Sequence, residues 1–234
     1  MSLLPVGFGS AADDDYEITD SLRLRSSATA YLSRTPASAG NQKTHTFSAW
    51  FKRGNVSSSQ FLFTAIQSNA ANYWQLWIHS TNQIYLSTLP LVSGGTCFIT
   101  TGLFRDPSAW YHIVLQFDTT NATAADRVKL YINGERVTAF ATNNISSISL
   151  NADGYLNSAV EHNIGNRQPY TNNPYDGYIT EVNFIDGQAL APTDFGEYDA
   201  NGTWKPKRYT GTYGTNGFYL PMKPTTQAEL QNTV

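Results

Sequence analysis

The sequence predicts an all-β protein, an antiparallel jelly-roll β-sandwich of two packed sheets. Three observations carry that expectation. Short runs of alternating apolar and polar residues recur between clusters of turn residues, the pattern of strands that bury one face. Only 14% of the 234 residues are charged, and Asn, Thr, Ser, Gly and Tyr fill the gap. Thr and Tyr suit pleated strands, whereas Asn, Gly and Ser suit turns. Finally, two alternating runs meet at Asn133-Gly134, a strong hairpin signal because both central residues of a type I′ turn need positive φ.

Taken in order, Leu22 and Leu24, then Tyr31 and Leu32, open the strand pattern. Over Thr46–Lys52, Phe47, Ala49 and Phe51 share one face and Trp50 takes the other. Gln60–Ile66 carries Phe61, Phe63 and Ala65. Tyr73–His79 puts Trp74, Leu76 and Ile78 on one face, and Ile84–Leu86 pairs with it across Thr81-Asn82-Gln83. Cys97–Thr101 follows, then Trp110–Asp118 with Tyr111, Ile113, Leu115 and Phe117 alternating. Val128, Leu130 and Ile132 lead into Asn133-Gly134, and Val137 resumes the pattern. Asn163–Gly165, Tyr178–Ile185 and Gly217–Leu220 supply the remaining strands. Within Tyr178–Ile185 the apolar phase slips between Ile179 and Val182, which predicts a bulge near Glu181. The helical candidate is a turn after Leu190, where Pro192 suits a first helical position.

These elements divide the chain into an arm (residues 1–20), a sandwich (21–220) and a polar tail (221–234). The arm combines Leu3, Leu4, Val6 and Phe8 with the acidic run Asp13-Asp14-Asp15, and reads as a docking segment. Net charge is −3, and no run of Lys or Arg supplies the basic face that a nucleic-acid partner requires. No apolar stretch is long enough to span a bilayer. Met1–Ser10 lacks the positive start and apolar core of a signal peptide, so folding in a bacterial-type cytoplasm is expected. Cys97 is alone, which rules out an internal disulfide and any thiolate metal cluster. The sequons at Asn55, Asn121, Asn144 and Asn201 are what chance gives in a chain this rich in Asn, Ser and Thr.

Four phrases resemble the laminin-G-like branch of the concanavalin A-like lectin/glucanase domains. They are Thr46-Phe47-Ser48-Ala49-Trp50-Phe51-Lys52, Trp110-Tyr111-His112-Ile113-Val114, Val128-Lys129-Leu130-Tyr131-Ile132-Asn133-Gly134 and Asp176-Gly177-Tyr178-Ile179-Thr180-Glu181-Val182. They occur in family order and cover about residues 20 to 220. Arg34-Thr35-Pro36-Ala37-Ser38-Ala39-Gly40, Phe184-Ile185-Asp186-Gly187-Gln188-Ala189-Leu190 and Tyr213-Gly214-Thr215-Asn216-Gly217-Phe218-Tyr219-Leu220 further resemble a variant found in proteins of tailed bacteriophages. The resemblance implies a concanavalin A-like jelly roll and a place on a virion made in the host cytoplasm. It also implies a Ca²⁺ held at the rim by an Asp and loop carbonyls. Asp118 and Asp176 are the leading ligands for it, with Asp126 and Asp153 behind them.

Related β-glucanases carry Glu-x-Asp-x-x-Glu on one strand, which sets three acids on one face for a retaining mechanism. The nearest approach here is Glu197-Tyr198-Asp199-Ala200-Asn201-Gly202. It lacks the third acid and falls among Gly and Asn, where a loop is expected. His45, His79, His112 and His162 show no metal-ligand spacing. Sugar binding needs flat aromatic faces with amides or hydroxyls beside them. The loop from Gln168 to Tyr175 supplies both, which makes Tyr170, Asn172, Asn173 and Tyr175 the candidate carbohydrate site. Asn72, Tyr73 and Trp74 form a second group. Trp50 and Trp110 read as sandwich packing.

The expected function is a non-catalytic lectin-like module on a phage surface, adhering to host glycan at a tail, fibre or capsid. Its arm would meet other virion proteins through residues 1–20, and further copies of the chain are candidate partners. The alternatives are a purely structural capsid decoration or tail component and, less favoured, a glycoside hydrolase.

Overall fold

The computed structural model describes residues 16–67, 71–170 and 172–223. Sixteen strands follow in chain order. They are β1 (Leu22–Leu24), β2 (Leu32–Arg34), β3 (Thr44–Arg53), β4 (Gln60–Ile66), β5 (Tyr73–Ile78), β6 (Ile84–Leu89), β7 (Thr96–Thr100) and β8 (Tyr111–Asp118). After them come β9 (Val128–Ile132), β10 (Glu135–Arg136), β11 (Phe140–Asn143), β12 (His162–Ile164), β13 (Gly177–Asp186), β14 (Gly196–Tyr198), β15 (Trp204–Pro206) and β16 (Phe218–Leu220). The helical elements are single 3₁₀ turns, among them Pro192–Asp194 at the expected place.

Two seven-stranded antiparallel sheets form a jelly-roll sandwich. The front sheet runs β1-β13-β3-β8-β9-β10, with β16 also paired to β13. The back sheet runs β11-β7-β6-β5-β4-β12-β2. Alternation places Phe47, Ala49 and Phe51 of β3 between the sheets, with Ile113, Leu115 and Phe117 beside them on β8 and Trp74, Leu76 and Ile78 opposite on β5. Cys97 lies in the same core as a free thiol. The hairpin at Asn133-Gly134 forms with φ of 49° and 82°. The bulge falls at Glu181, where the β13–β3 register shifts between Thr180 and Asn183 and Glu181 takes φ 49°.

One feature departs from a plain sandwich. The segment after β13 returns over the outer face of the front sheet and buries a second, smaller cluster of Val114, Ile185 and Phe195. Within it β14 and β15 pair as a hairpin, where the sequence suggested a loop. Tight turn geometry explains the difference. Asp199 accepts the backbone N–H groups of Asn201 and Thr203 at 2.9 Å each, and Gly202 supplies φ 77°. Trp204 of β15 then lies flat on the front sheet, so close to Gly134 that a Cβ there would sit 2.5 Å from the indole.

The first 15 residues of the arm lie outside the described residues, as do 224–234 of the tail. Residues 16–20 run along the outer face of the front sheet of their own chain. Tyr16 donates its hydroxyl to Glu181 at 2.8 Å, and the Asp20 carbonyl accepts from Thr180 at 2.7 Å.

Candidate functional site

A cleft of about 660 Å³ opens on the outer face of the front sheet. One wall is residues 16–21, the other is the β14–β15 hairpin, and the floor is the sheet. The phase of β3 turns Trp50 away from the core, so its ring lines the floor, 8% exposed. Trp110 precedes β8, half-buried, and lines the same cleft. Thr180 of β13 completes the floor, with its hydroxyl given to Asp20.

Beneath the cleft an aromatic stack fixes the floor to the hairpin. Trp50 stacks on His112 with centroids 4.8 Å apart, and His112 stacks on Trp204 at 5.9 Å. Indole N–H can only donate, so Trp204 Nε1 donates to His112 Nδ1 at 2.9 Å. The imidazole proton is therefore on Nε2, which faces Ser48 Oγ at 2.9 Å. Burial pushes the His112 pKa down to about 3, so the ring stays neutral and the stack keeps one tautomer over a wide pH range. Trp50 Nε1 is buried and has no acceptor among the described residues. A buried indole N–H without a partner is uncommon, and here it belongs to a ring that lines an open cleft.

The polar groups around the aromatic floor carry one dominant sign. Glu17, Asp20, Glu197 and Asp199 line the cleft against a single cation, Lys205. Lys205 lies 3.7 Å from Asp199. Asp199 is held below the usual carboxylate range, chiefly by the Thr203 N–H. Glu197 and Asp199 alternate on β14 and its continuation, which brings both to the cleft.

The residues singled out in the sequence separate. Trp74 is fully buried in the sandwich core and cannot present a face to a sugar. Tyr175 is also fully buried, with its hydroxyl donating to the Lys52 carbonyl at 2.9 Å. Both leave the binding set, because their rings pack between the sheets. Tyr170, Asn172 and Asn173 do lie at the rim. Tyr170 is half-buried beneath the Arg167 guanidinium, 5.0 Å from its ring centre, and Asn172 and Asn173 are exposed. The Asn173 carbonyl accepts the Phe61 N–H, which ties the loop to the back sheet, away from the cleft.

The four aspartates implied for Ca²⁺ do not fit that ion. Asp176 takes Arg23 at 2.5 Å and Ser26 at 2.8 Å, and Asp118 takes the N–H and hydroxyl of Thr120. Asp126 pairs with Arg136 and Lys129, and Asp153 lies 3.8 Å from Lys43. Among the described residues no group of three or more His, Cys, Asp or Glu is placed to hold a metal. No helix among them is long and apolar enough to cross a membrane.

The two packed antiparallel sheets define a concanavalin A-like β-sandwich. A laminin-G family model, described as the concanavalin A-like lectin/glucanases superfamily, matches residues 26–194, and the chain belongs to that superfamily. No curated protein sequence matches it. Among solved structures, domains LG4-5 of the mouse laminin alpha1 chain align at 10% identity and a TM-score of 0.50. That alignment covers 90% of this chain and 49% of the laminin chain, and it shows the fold. The heptameric SAP-like pentraxin of Limulus polyphemus aligns at 14% identity and TM-score 0.48, covering 69% of this chain and 71% of its own. The Ruminococcus gnavus IT-sialidase CBM40 aligns at 13% identity and TM-score 0.46, covering 75% and 94%.

Proposed function

We propose that this chain is a non-catalytic glycan-binding module whose ligand lies in the front-sheet cleft. One observation carries the reading. Two tryptophan rings, Trp50 and the more exposed Trp110, line an open cleft ringed by hydrogen-bonding side chains. Indole faces suit the apolar sides of pyranose rings, and the side chains around them offer partners to sugar hydroxyls. Four carboxylates against one lysine make the cleft repel anions, so the ligand is a neutral or amino sugar and not a sialylated or uronic one. A retaining hydrolase needs one carboxyl held high enough to donate a proton. Here Asp199 is held low, accepts two backbone N–H groups and lies 3.7 Å from Lys205, which suits fixed recognition better than proton transfer.

The resemblance of residues 34–40, 184–190 and 213–220 to proteins of tailed bacteriophages supports a role for the module on a phage virion, as an adhesion surface at a tail, fibre or capsid. A glycan array followed by titration calorimetry tests the reading. Neutral or amino-sugar oligomers should bind, and sialylated ones should not. A preference for sialylated or uronic glycans overturns the charge argument. Binding to no glycan overturns the adhesion reading and leaves a purely structural capsid or tail component.

A further inference from the structure

A second opening, distinct from the cleft, penetrates the sandwich where both sheets end. Its volume is about 370 Å³. Edge strand β2 of the back sheet and edge strand β16 of the front sheet form its lips, because neither pairs with the other across the gap. Leu32, Phe218 and Leu220 line the mouth, and Ile164 and Phe184 line the depth. Phe184 and Ile164 belong to the sandwich core, 2% and 4% exposed, so the slot reaches the space between the sheets.

The buried polar side chains along this slot, His162, Asn157 and Asn216, are already satisfied. His162 Nε2 accepts the Asn157 N–H at 2.9 Å, and its Nδ1 lies 2.8 Å from the Val160 carbonyl. Asn157 Nδ2 donates to Asp186 at 2.7 Å, and its Oδ1 accepts from Asn216 Nδ2 at 2.9 Å. The interior therefore asks a ligand for nothing but apolar surface. The mouth differs. Arg34 is exposed there, its guanidinium 5.7 Å from the Phe218 ring centre. Nη1 donates to the Asn216 carbonyl at 2.7 Å, and among the described residues Arg34 has no acidic partner. An unneutralised cation thus sits at the lip of an apolar slot whose walls need no polar ligand group.

We infer that this slot binds a medium-chain carboxylate amphiphile, with its alkyl tail between the sheets and its carboxylate on Arg34. The size agrees. At ~30 Å³ for each water-sized group, the volume holds about twelve such groups, the scale of a ten-carbon acid. It falls in the range of small-molecule sites, and Arg–carboxylate pairing supplies the orientation.

The experiment is calorimetric titration of the intact protein with decanoate and with decanol, each below its micelle-forming concentration, repeated with Arg34→Gln. Decanoate should bind at least tenfold more tightly than decanol to the unaltered protein. Arg34→Gln should abolish that preference and leave decanol binding intact, which also shows that the variant is folded. Loss of one charge-assisted contact gives about a tenfold change. Equal affinity for acid and alcohol, or a preference that survives Arg34→Gln, overturns the anionic assignment. Binding of neither ligand to the intact chain overturns the site itself and gives the slot to an apolar peptide segment.

Discussion

Removing Trp110 separates recognition from stability, because that ring lines the cleft without belonging to the sandwich core. A tryptophan side chain carries ~150–250 Å² of surface, and Trp110 is largely buried, so at most about a third of it, ~50–80 Å², is free to be covered by a ligand. At ~25 cal/mol per Å², covering that third contributes about 1–2 kcal/mol. Trp110→Ala should therefore raise Kd roughly 5- to 30-fold for whichever neutral or amino-sugar oligomer the array identifies. Calorimetric titration measures that change, and differential scanning calorimetry of the same variant measures the thermal midpoint. The midpoint should move little, since among the described residues the ring's one aromatic neighbour is the exposed Tyr178 at 6.5 Å. Tyr170→Ala, on the opposite sheet, should leave the affinity unchanged. The reasoning fails if Trp110→Ala binds normally, or if Tyr170→Ala produces the larger loss.

Three further outcomes follow from the buried groups. Burial pushes the pKa values of His45, His112 and His162 down to about 3, 3 and 4. The unfolded chain takes up protons that these rings refuse, so their contribution is complete above the unfolded pKa near 6.5. It drains away as pH falls toward 4, at about 1.4 kcal/mol per histidine per pH unit. Thermal midpoints from pH 7 to 4 should fall steeply. His45→Phe should flatten that slope and raise the midpoint at pH 7, because both His45 nitrogens lack partners among the described residues and the ring stacks on Phe117 at 4.6 Å. Trp204→Phe keeps a ring on His112 but loses the 2.9 Å hydrogen bond, at a cost of about 1 kcal/mol, whereas Trp204→Ala should cost ~3–5 kcal/mol. Equal denaturation midpoints for the two variants would remove the stack as the hairpin's anchor. Cys97 is fully buried with its thiol pKa pushed up to about 12, so alkylating reagents should label it only after unfolding.

The inner faces of the sandwich were legible because strand burial follows a period of two. Phe47, Ala49 and Phe51, and Ile113, Leu115 and Phe117, could be assigned by phase alone. The Asn133-Gly134 turn and the Glu181 bulge were legible for the same reason, since each is a local event with a local signal. Phase also contained the correction for Trp74, which alternates with Leu76 and Ile78 and had to point inward with them. Tyr175 was a different case. Its burial depends on a hydroxyl reaching the Lys52 carbonyl 123 residues away, and no local pattern encodes that contact.

The cleft was the hardest feature to foresee, and the reason lies in layering. Alternation predicts which side chains leave the core but not what meets them on the far side. Trp50 leaves the core by phase, and the same is true of Ser48, His112 and Val114, yet all four are buried. Returning chain covers them, and it does so with a hairpin whose sequence is dominated by Gly, Asn and charged residues. Its docking depends on Trp204 finding the bare backbone of Gly134, a glycine that the type I′ turn already requires. One glycine therefore serves two elements, the turn through its positive φ and the hairpin through its missing Cβ. A Cβ at residue 134 would strain the turn and displace the indole together. Because Trp204 holds His112 and His112 carries Trp50, that displacement would travel to the cleft floor. The aromatic floor and the acids Glu197 and Asp199 are thus not independent features, since both are positioned by the same hairpin landing on the same turn.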